Sequence, residues 1–354
     1  MEPKTPEDWG REYKEKYFIY EAFTKKLNGL FHELLQGVDF FQIESRTKKV
    51  GSFTDKIQRE GKNYSNPIEE ITDLVGIRII CYYSEDVDII GNIINDEFYI
   101  DPDKSIDKTK TLDPDKFGYL SVHYIISLSE NRNKLKEWKQ FSNFMAEVQV
   151  KTVLQHAWAA IDHKLRYKTK IEVPKDLIRK LFRLSALLEL ADDEFLNLKH
   201  LKNKLEDIYS KQLEKRELDI DINQSSLEVY FDSTKVDLKW VKIAEDIGFL
   251  KVPLPRPDES MAKDRSRLMD CLSAYGINKI KELDNLINAA SVWGQDNLNK
   301  IFTLSVSKGF IPFAVSFDII TILVICAKKG AAIDKYTFPF REELNEALKV
   351  SLQE

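Results

Sequence analysis

The sequence predicts an α+β protein, in which a mixed β-sheet domain flanked by helices is followed by a mostly helical domain. Short strand-like runs are interspersed with helical patterns between residues 40 and 170, and a long helical pattern follows up to about residue 215. Beyond that point the chain is mostly helical. We therefore expect one domain over residues 1–215 and a second, with a regulatory or interaction role, over residues 216–354.

Composition is that of an ordinary soluble globular protein. The chain has 354 residues, enough for two domains, of which 43% are hydrophobic and 31% charged. A formal net charge of −5 argues against a general nucleic-acid coat or a basic membrane-surface protein. The three cysteines are isolated among apolar residues, which is typical of a reducing compartment, and no Cys/His cluster indicates structural zinc.

Targeting signals are not evident in the sequence. The charged N-terminus has no apolar signal region. The most apolar run, residues 311–327, is interrupted by Pro312 and Asp318 and is shorter than a membrane span. We expect a cytoplasmic protein that has no membrane partner.

The first elements follow from hydrophobic periodicity. Apolar residues at helical spacing predict a helix over residues 6–35, with Gly37 as its stop. A short strand-like run begins at Phe40 and passes into a polar segment with spaced cations. Pro67 then opens a helical turn that leads into a strand rich in Ile and Tyr, and an amphipathic helix over residues 85–98 follows.

The second half of the domain begins with a long, charged, turn-rich loop over residues 101–118, of the kind that often carries function. A strand over residues 119–129 and a helical run over residues 130–141 come next. Residues 147–168 then form a strand that passes into a helix near Thr152. Alternation puts Glu147, Gln149 and Lys151 on one face of that strand.

Cations are regularly spaced in the polar segment after Phe40: Arg46, Lys48 and Lys56, with Ser52 between them. Such a group can converge on phosphate oxygens, with Arg as a fork and Lys as a point charge. A solvated basic helix end accounts for the same pattern.

Two charged residues stand at a buried strand, Asp73 just before it and Arg78 inside it. One interpretation is an internal ion pair. The other makes Asp73 a ligand for a hard cation and Arg78 a phosphate partner. Glu147 on a neighbouring strand would complete a Mg²⁺ site with Asp73, because Mg²⁺ typically uses one or two carboxylates plus substrate phosphates.

The strand over residues 119–129 carries Tyr119, Ser121 and His123 on one face. A Tyr ring at the strand mouth would stack on a base, and His123 would donate to a phosphate. A core aromatic ring and a structural histidine are equally compatible with the pattern. The sequence has no GxxxxGKS loop, no GxGxxG and no His followed by Asp.

Four motifs together resemble the synthetase domain of the RelA/SpoT family, within it the small single-synthetase members. They are "SRTKKVGSFTDK", "DLVGIR", "GYLSVH" and "EVQVKTVLQHAWAAIDHKLRYK", in the family's order over roughly residues 40–170. The resemblance implies a nucleotidyltransferase-like sheet and a GTP diphosphokinase. Such an enzyme transfers the β,γ-pyrophosphate of ATP to the ribose 3′-hydroxyl of GDP or GTP and makes ppGpp or pppGpp.

Carried over residue by residue, the resemblance implies three groups of site residues. Glu147 would be the base for the 3′-hydroxyl and, with Asp73, would hold Mg²⁺. The ATP phosphates would be held by Arg46, Lys48, Ser52, Lys56 and Arg78. The acceptor nucleotide would be held by Tyr119, Ser121, His123, Gln149 and Lys116.

One position departs from the family pattern. Leu120 stands where members usually place Arg, Lys or Gln, and the Lys-rich loop before it, which includes Lys116, would take over that contact or serve a larger acceptor. The alternative function is therefore a toxic relative that puts the pyrophosphate on the 3′ end of tRNA, with the C-terminal domain as an in-cis antitoxin or sensor. Basic residues in the loop and in residues 131–139 fit a tRNA surface weakly.

Two further expectations concern activity and assembly. A catalytically dead alarmone-binding regulator is a third interpretation, but the complete set of Asp73, Glu147 and cations argues against it. A homo-oligomer is expected by family analogy alone.

Overall fold

The computed structural model of the protein describes residues 4–107, 121–167, 174–249 and 258–307. The chain forms two compact units, residues 1–199 and 200–354. This boundary falls inside a long helix, and the domain boundary predicted near residue 215 lies at the end of that same helix.

The first unit alternates strands and helices, and its last helix continues into the second unit. The elements are α1 (Pro6–Leu34), β1 (Phe40–Thr47), α2 (Val50–Ile57), α3 (Pro67–Glu70), β2 (Val75–Cys81), α4 (Ser84–Glu97), β3 (Phe98–Ile100), β4 (Ile106–Asp107), β5 (Val122–Leu128), α5 (Glu130–Asn133), a 3₁₀ turn (Lys139–Phe141), β6 (Met145–Thr152), α6 (Val153–Tyr167) and α7 (Lys175–Glu214).

Six strands form one mixed sheet, which confirms the predicted fold class. The strand order is β1-β2-β6-β5-β3, and β4 pairs with β5 outside this path. Strands β2 and β6 run parallel, whereas the other pairings are antiparallel. The parallel pair therefore lies in the middle of the sheet, between β1 on one side and β5 on the other.

Alternating residues give the sheet one apolar and one polar face. Ile77 and Ile79 of β2 and Val148 and Val150 of β6 are buried in the core of the first unit. Helices α1 and α4 cover this face with a shared set of buried side chains, Tyr13, Phe23, Leu27, Ile90 and Ile94. The polar side chains between these apolar positions consequently point to the opposite face, where the candidate site lies.

Helix α1 supports the connection between β1 and α2. The helix begins at a capping box formed by Thr5 and Asp8. Its fully buried Tyr13 stacks on Phe53 of α2 with 4.5 Å between ring centroids, and the Tyr13 hydroxyl donates to the backbone carbonyl of Lys48 at 2.7 Å. Packing on α1 therefore fixes the backbone that carries Lys48.

Helix α6 begins directly at the end of β6. The Thr152 hydroxyl accepts from the Gln155 N–H at 3.1 Å, and the Gln155 side chain accepts from the Thr152 N–H at 2.9 Å. Buried Asp192 of α7 accepts from the same hydroxyl at 2.7 Å. Lys199, further along α7, pairs with Glu85 at the start of α4. These contacts fasten α7 to the first unit.

Two segments differ from the sequence prediction. In the segment described above only as polar with spaced cations, β1 extends to Thr47, so that Arg46 lies on a strand, and residues 50–57 form helix α2. The helical run predicted over residues 130–141 is wrong, because the segment contains one helical turn and a separate 3₁₀ turn. The 3₁₀ turn lets Phe141 stack on Phe23 of α1 in the core, and this burial outweighs the local helical pattern.

The second unit is helical in its described part, which confirms the prediction for this region. After α7 it contains α8 (Gln224–Thr234), α9 (Val236–Ile247), α10 (Asp258–Ala274) and α11 (Ile280–Ser307). Leu227, Tyr230, Leu268 and Leu283 are fully buried in its own core. The apolar run 311–327 lies outside the described residues, and none of the described helices is long and apolar enough to cross a membrane.

Two glycine substitutions test the packing of this fold. An added Cβ at Gly91 of α4 would lie 2.5 Å from the Tyr124 hydroxyl, so Gly91→Ala forces the packed Tyr124 ring to move and should destabilise the protein by about 1–3 kcal/mol. Urea denaturation measures the loss.

Gly29 of α1 has nothing within 4 Å of an added Cβ, so Gly29→Ala should stabilise the protein by roughly 0.5–1 kcal/mol. Equal effects of the two substitutions would contradict this packing.

Candidate active site

The polar face of the sheet brings three of the sequence motifs into register. In the parallel pairing, Gly76 of β2 lies opposite Glu147 of β6, and Arg78 lies opposite Gln149. In the antiparallel pairing on the other side, His123 of β5 lies opposite Gln149. The predicted neighbours Glu147, Gln149 and His123 are therefore adjacent on one face.

A pocket of about 370 Å³ opens on this face. Arg46, Arg78, Glu147 and Gln149 line it together with Gly76, and β1 contributes Glu44 and Ser45. The pocket thus holds two guanidinium groups and a carboxylate that the sequence had assigned to one site.

Gly76 gives Arg46 its place in the pocket. The two residues are directly opposite each other on β1 and β2, and an added Cβ at Gly76 would lie 3.3 Å from both Cγ and Nε of Arg46. The Arg46 side chain therefore crosses β2 over the space that a larger residue would fill. Glycine at this position leaves room for the close approach of Arg46, and an added Cβ would be in tight contact with that side chain.

Glu147 is held as a carboxylate. Its Oε1 accepts a hydrogen bond from Nδ1 of His123 at 2.9 Å, and Nε2 of His123 shares a 2.9 Å hydrogen bond with the Ser121 hydroxyl. Burial raises the pKa of Glu147, but the hydrogen bond and charge of His123, with a hydrogen bond from Gln149, outweigh burial and hold the pKa below its ordinary value. The carboxylate is therefore ionised and ready to accept a proton.

Lys151 orients Gln149 from the end of the same strand. Its ammonium group donates to Oε1 of Gln149 at 3.2 Å, which leaves the amide NH₂ to face Glu147. The Lys151 side chain belongs to a residue that is only 4% exposed. The alternating polar face of β6 is thus one hydrogen-bonded row that ends at Glu147.

Asp73 lies between two lysines at the start of β2. Its carboxylate accepts from Lys48 at 2.6 Å and from Lys56 at 2.9 Å. Burial raises the pKa of Asp73, but the hydrogen bonds and charges of the two lysines outweigh burial and hold the pKa below its ordinary value. This cluster carries one net positive charge, since it contains two ammonium groups and one carboxylate.

Arg78 pairs with Glu44 and not with Asp73. The Arg78 Nη1 atom donates to Oε2 of Glu44 at 2.7 Å. The ion pair of Arg78 is therefore partly exposed and not the internal pair that the sequence suggested. Its partner comes from β1, whereas the partners of Asp73 come from the β1–α2 connection and α2.

Among the described residues, six of the predicted site residues do not line the pocket: Asp73, Lys48, Ser52, Lys56, Ser121 and His123. Ser52 lies exposed on α2 and does not line the pocket. Tyr119 and Lys116, with Leu120, lie outside the described residues. His156 lies in the first turn of α6 with Nδ1 buried and without a hydrogen-bond partner, and burial and the charge of Arg78 lower its pKa.

Sequence reasoning gave no role to two residues of this face, Glu44 and Lys151. The period of a strand would have found Glu44, because it stands two residues before Arg46 and so shares its face. This signal was hidden by the expectation that the strand ends before Arg46.

A family comparison covers the part of the chain that carries this site. Residues 45–172 match the family described as "Region found in RelA / SpoT proteins". These residues include both carboxylates and every cation of the site that the sequence analysis assigned to ATP.

Two curated relatives come from Bacillus subtilis (strain 168). The GTP pyrophosphokinase YwaC is 29% identical over 198 residues, which cover 54% of this chain and 91% of that protein. The GTP pyrophosphokinase YjbM is 25% identical over 160 residues, which cover 44% of this chain and 71% of that protein. Among solved structures, small alarmone synthetase 2 from Bacillus subtilis is 28% identical with a TM-score of 0.44, covering 53% of this chain and 98% of that chain.

The two lysines at Asp73 predict a specific pH dependence of stability. A carboxyl whose pKa is lower in the folded state than in the unfolded state stabilises the fold above its ordinary pKa of 3.8, and this contribution is lost as pH falls through the lowered value. Asp73→Asn should therefore be less stable than the wild type at pH 7, and the difference should shrink as pH falls below 3.8.

Urea denaturation at a series of pH values measures this convergence. The matched control is Asp55→Asn, on the exposed side of α2 and without an ion pair among the described residues. It should show no such convergence with the wild type. Parallel stability curves for the wild type and Asp73→Asn would contradict the assignment of the two lysines to Asp73.

Proposed function

We propose, from the premise that residues 45–172 are a RelA/SpoT domain, that the protein is a GTP pyrophosphokinase. It transfers the β,γ-pyrophosphate of ATP to the ribose 3′-hydroxyl of GDP or GTP. The observation that carries the proposal is the ionised Glu147, held in one pocket with Arg46 and Arg78. A base beside two phosphate-binding groups is the minimum that such a transfer needs.

The chemistry follows from these positions. The 3′-oxygen forms a bond to the β-phosphorus of ATP, the bond from that phosphorus to the α,β-bridging oxygen breaks, and AMP leaves. The hydroxyl proton passes to Glu147, which His123 keeps ionised until that step. Catalysis of this kind depends on positioning and on neutralising phosphate charge rather than on covalent chemistry by the protein.

The ATP subsite contains four cations, which come from β1, β2, the β1–α2 connection and α2. Arg46 and Arg78 line the pocket, and Lys48 and Lys56 carry the net positive charge of the Asp73 cluster. Phosphate oxygens would replace the Asp73 carboxylate as acceptors for these ammonium groups.

Magnesium is the cofactor we propose, held by Asp73 and Glu147. The donor set fits, since both groups are ionised oxygen ligands. The charge of Asp73 partly opposes the lowering of the Glu147 pKa, as expected for two carboxylates that interact electrostatically. A bound Mg²⁺ would neutralise charge on the transferred pyrophosphate. Within the described residues no group of three or more acidic, His or Cys ligands occurs, so substrate phosphates would complete the coordination.

The acceptor is a guanosine nucleotide in this proposal. The curated relatives are named for GTP, and this favours GDP or GTP over the tRNA acceptor. Ser121, His123 and Gln149 border Glu147 and would position the acceptor. The assigned roles of Tyr119 and Lys116 stay predictions, as do the cytoplasmic location, a homo-oligomer and a regulatory role for the second unit.

The activity is tested with ATP labelled in the γ-phosphate, Mg²⁺, and GDP, GTP or deacylated tRNA as acceptor. We expect label on the guanosine nucleotides. Glu147→Gln should reduce turnover at least 100-fold, because the amide cannot accept the proton, while binding of GDP and of a non-hydrolysable ATP analogue stays within a few-fold. Glu21→Gln, an exposed position on α1, is the control and should be unaffected. Label on tRNA alone, or near-normal turnover by Glu147→Gln, would overturn the proposal.

The metal assignment is tested with Asp73→Asn. Removing one ligand charge should raise the Mg²⁺ concentration for half-maximal turnover at least about tenfold. The same variant should weaken Mn²⁺ binding, followed by electron paramagnetic resonance with the ATP analogue present. Unchanged metal affinity in both measurements would exclude Asp73 as a ligand.

A further inference from the structure

We propose that Glu44 is a positioning residue of the ATP subsite, which holds the guanidinium of Arg78 in the orientation that binds phosphate. The inference rests on the proposed function and extends it to a residue for which the sequence motifs give no role. Glu44 lies directly opposite Arg78 in the β1–β2 pairing, and both side chains line the same pocket.

Glu44 is the sole hydrogen-bonding partner of the Arg78 head group among the described residues. The Glu44 Oε2 atom accepts from Nη1 at 2.7 Å, and Arg78 makes no other hydrogen bond there. Its Nε atom is buried and has no acceptor. The hydrogen bond at Nη1 is therefore the polar contact that orients the guanidinium.

This contact occupies the Nη1 atom of Arg78, a residue that lines the pocket. Because Nε is buried, Nη2 is the terminal nitrogen of the guanidinium that no described residue engages. A phosphate oxygen in the pocket would accept a charge-assisted hydrogen bond from Nη2. Glu44 therefore orients the Nη2 atom for ATP.

Stability does not account for the pair. The Arg78 and Glu44 side chains are 32% and 39% exposed, and a solvent-exposed ion pair adds little to folding. The negative charge of Glu44 also repels phosphate, so a site that bound phosphate through positive charge alone would have no carboxylate at this position. The remaining effect of Glu44 is to orient Arg78. Glu44→Gln tests this effect separately from charge, because glutamine keeps an oxygen acceptor and removes the negative charge.

The experiment compares Glu44→Ala, Glu44→Gln and the wild type by calorimetric binding of a non-hydrolysable ATP analogue and of GDP. Glu44→Ala should weaken binding of the analogue by roughly three- to tenfold and raise KM for ATP similarly, while GDP binding and the melting temperature stay unchanged. Glu44→Gln should bind the analogue at least as tightly as the wild type. In an Arg78→Ala background, Glu44→Ala should have no further effect.

The chain provides a matched control in Glu97→Ala. Glu97 also pairs with an arginine, Arg132, whose Nε is buried without a partner, and the Glu97 side chain is 38% exposed. This pair does not line the pocket. Glu97→Ala should leave binding of the ATP analogue unchanged.

Three results would overturn the inference: unchanged or tighter binding of the analogue by Glu44→Ala, a further loss when Glu44→Ala is added to Arg78→Ala, or an equal loss in Glu97→Ala. Failure of the proposed function is distinguishable from failure of the inference about Glu44. A wild type that binds the analogue but transfers no label to GDP or GTP refutes the activity, while the binding comparison still decides the role of Glu44. A wild type that does not bind the analogue overturns both.

Discussion

The parallel pairing of β2 with β6 is the constraint on which the candidate site depends. These strands are distant in sequence, yet their register places Gly76 beside Glu147 and Arg78 beside Gln149. Because side chains alternate along each strand, a shift of one residue would turn every one of these groups into the apolar core. The buried residues Ile77 and Val148 on the opposite face therefore determine the site as firmly as the polar residues themselves.

Three ionisable groups of the site are held by polar neighbours within the described residues. Asp73 has two lysines, Glu147 has His123, and Arg78 has Glu44. An uncompensated charge at such half-buried positions would shift its pKa or destabilise the fold. In the proposed reaction, phosphate oxygens would replace the Asp73 carboxylate at Lys48 and Lys56, whereas Glu44 would keep its contact with Arg78. The site is therefore preorganised without being closed.

Support for this arrangement comes from outside the four motifs. Tyr13 of α1 donates to the carbonyl of Lys48 and packs on α2, and Asp192 of α7 accepts from Thr152 at the end of β6. These contacts bury aromatic and polar groups far from the pocket. They keep the backbones that carry Lys48 and the end of β6 in place, which is what catalysis by positioning requires.

The sequence by itself determined the mixed sheet, the two-part organisation and most of the charged groups at the site, because strand and helix periods and short motifs are local signals. It placed Glu147 beside Gln149 and assigned Arg46 and Arg78 to one site. It did not reveal that Arg46 crosses Gly76 or that Glu44 holds Arg78. Those contacts join different strands, so only the register of the sheet decides them, and register is set by core packing that a linear pattern does not contain.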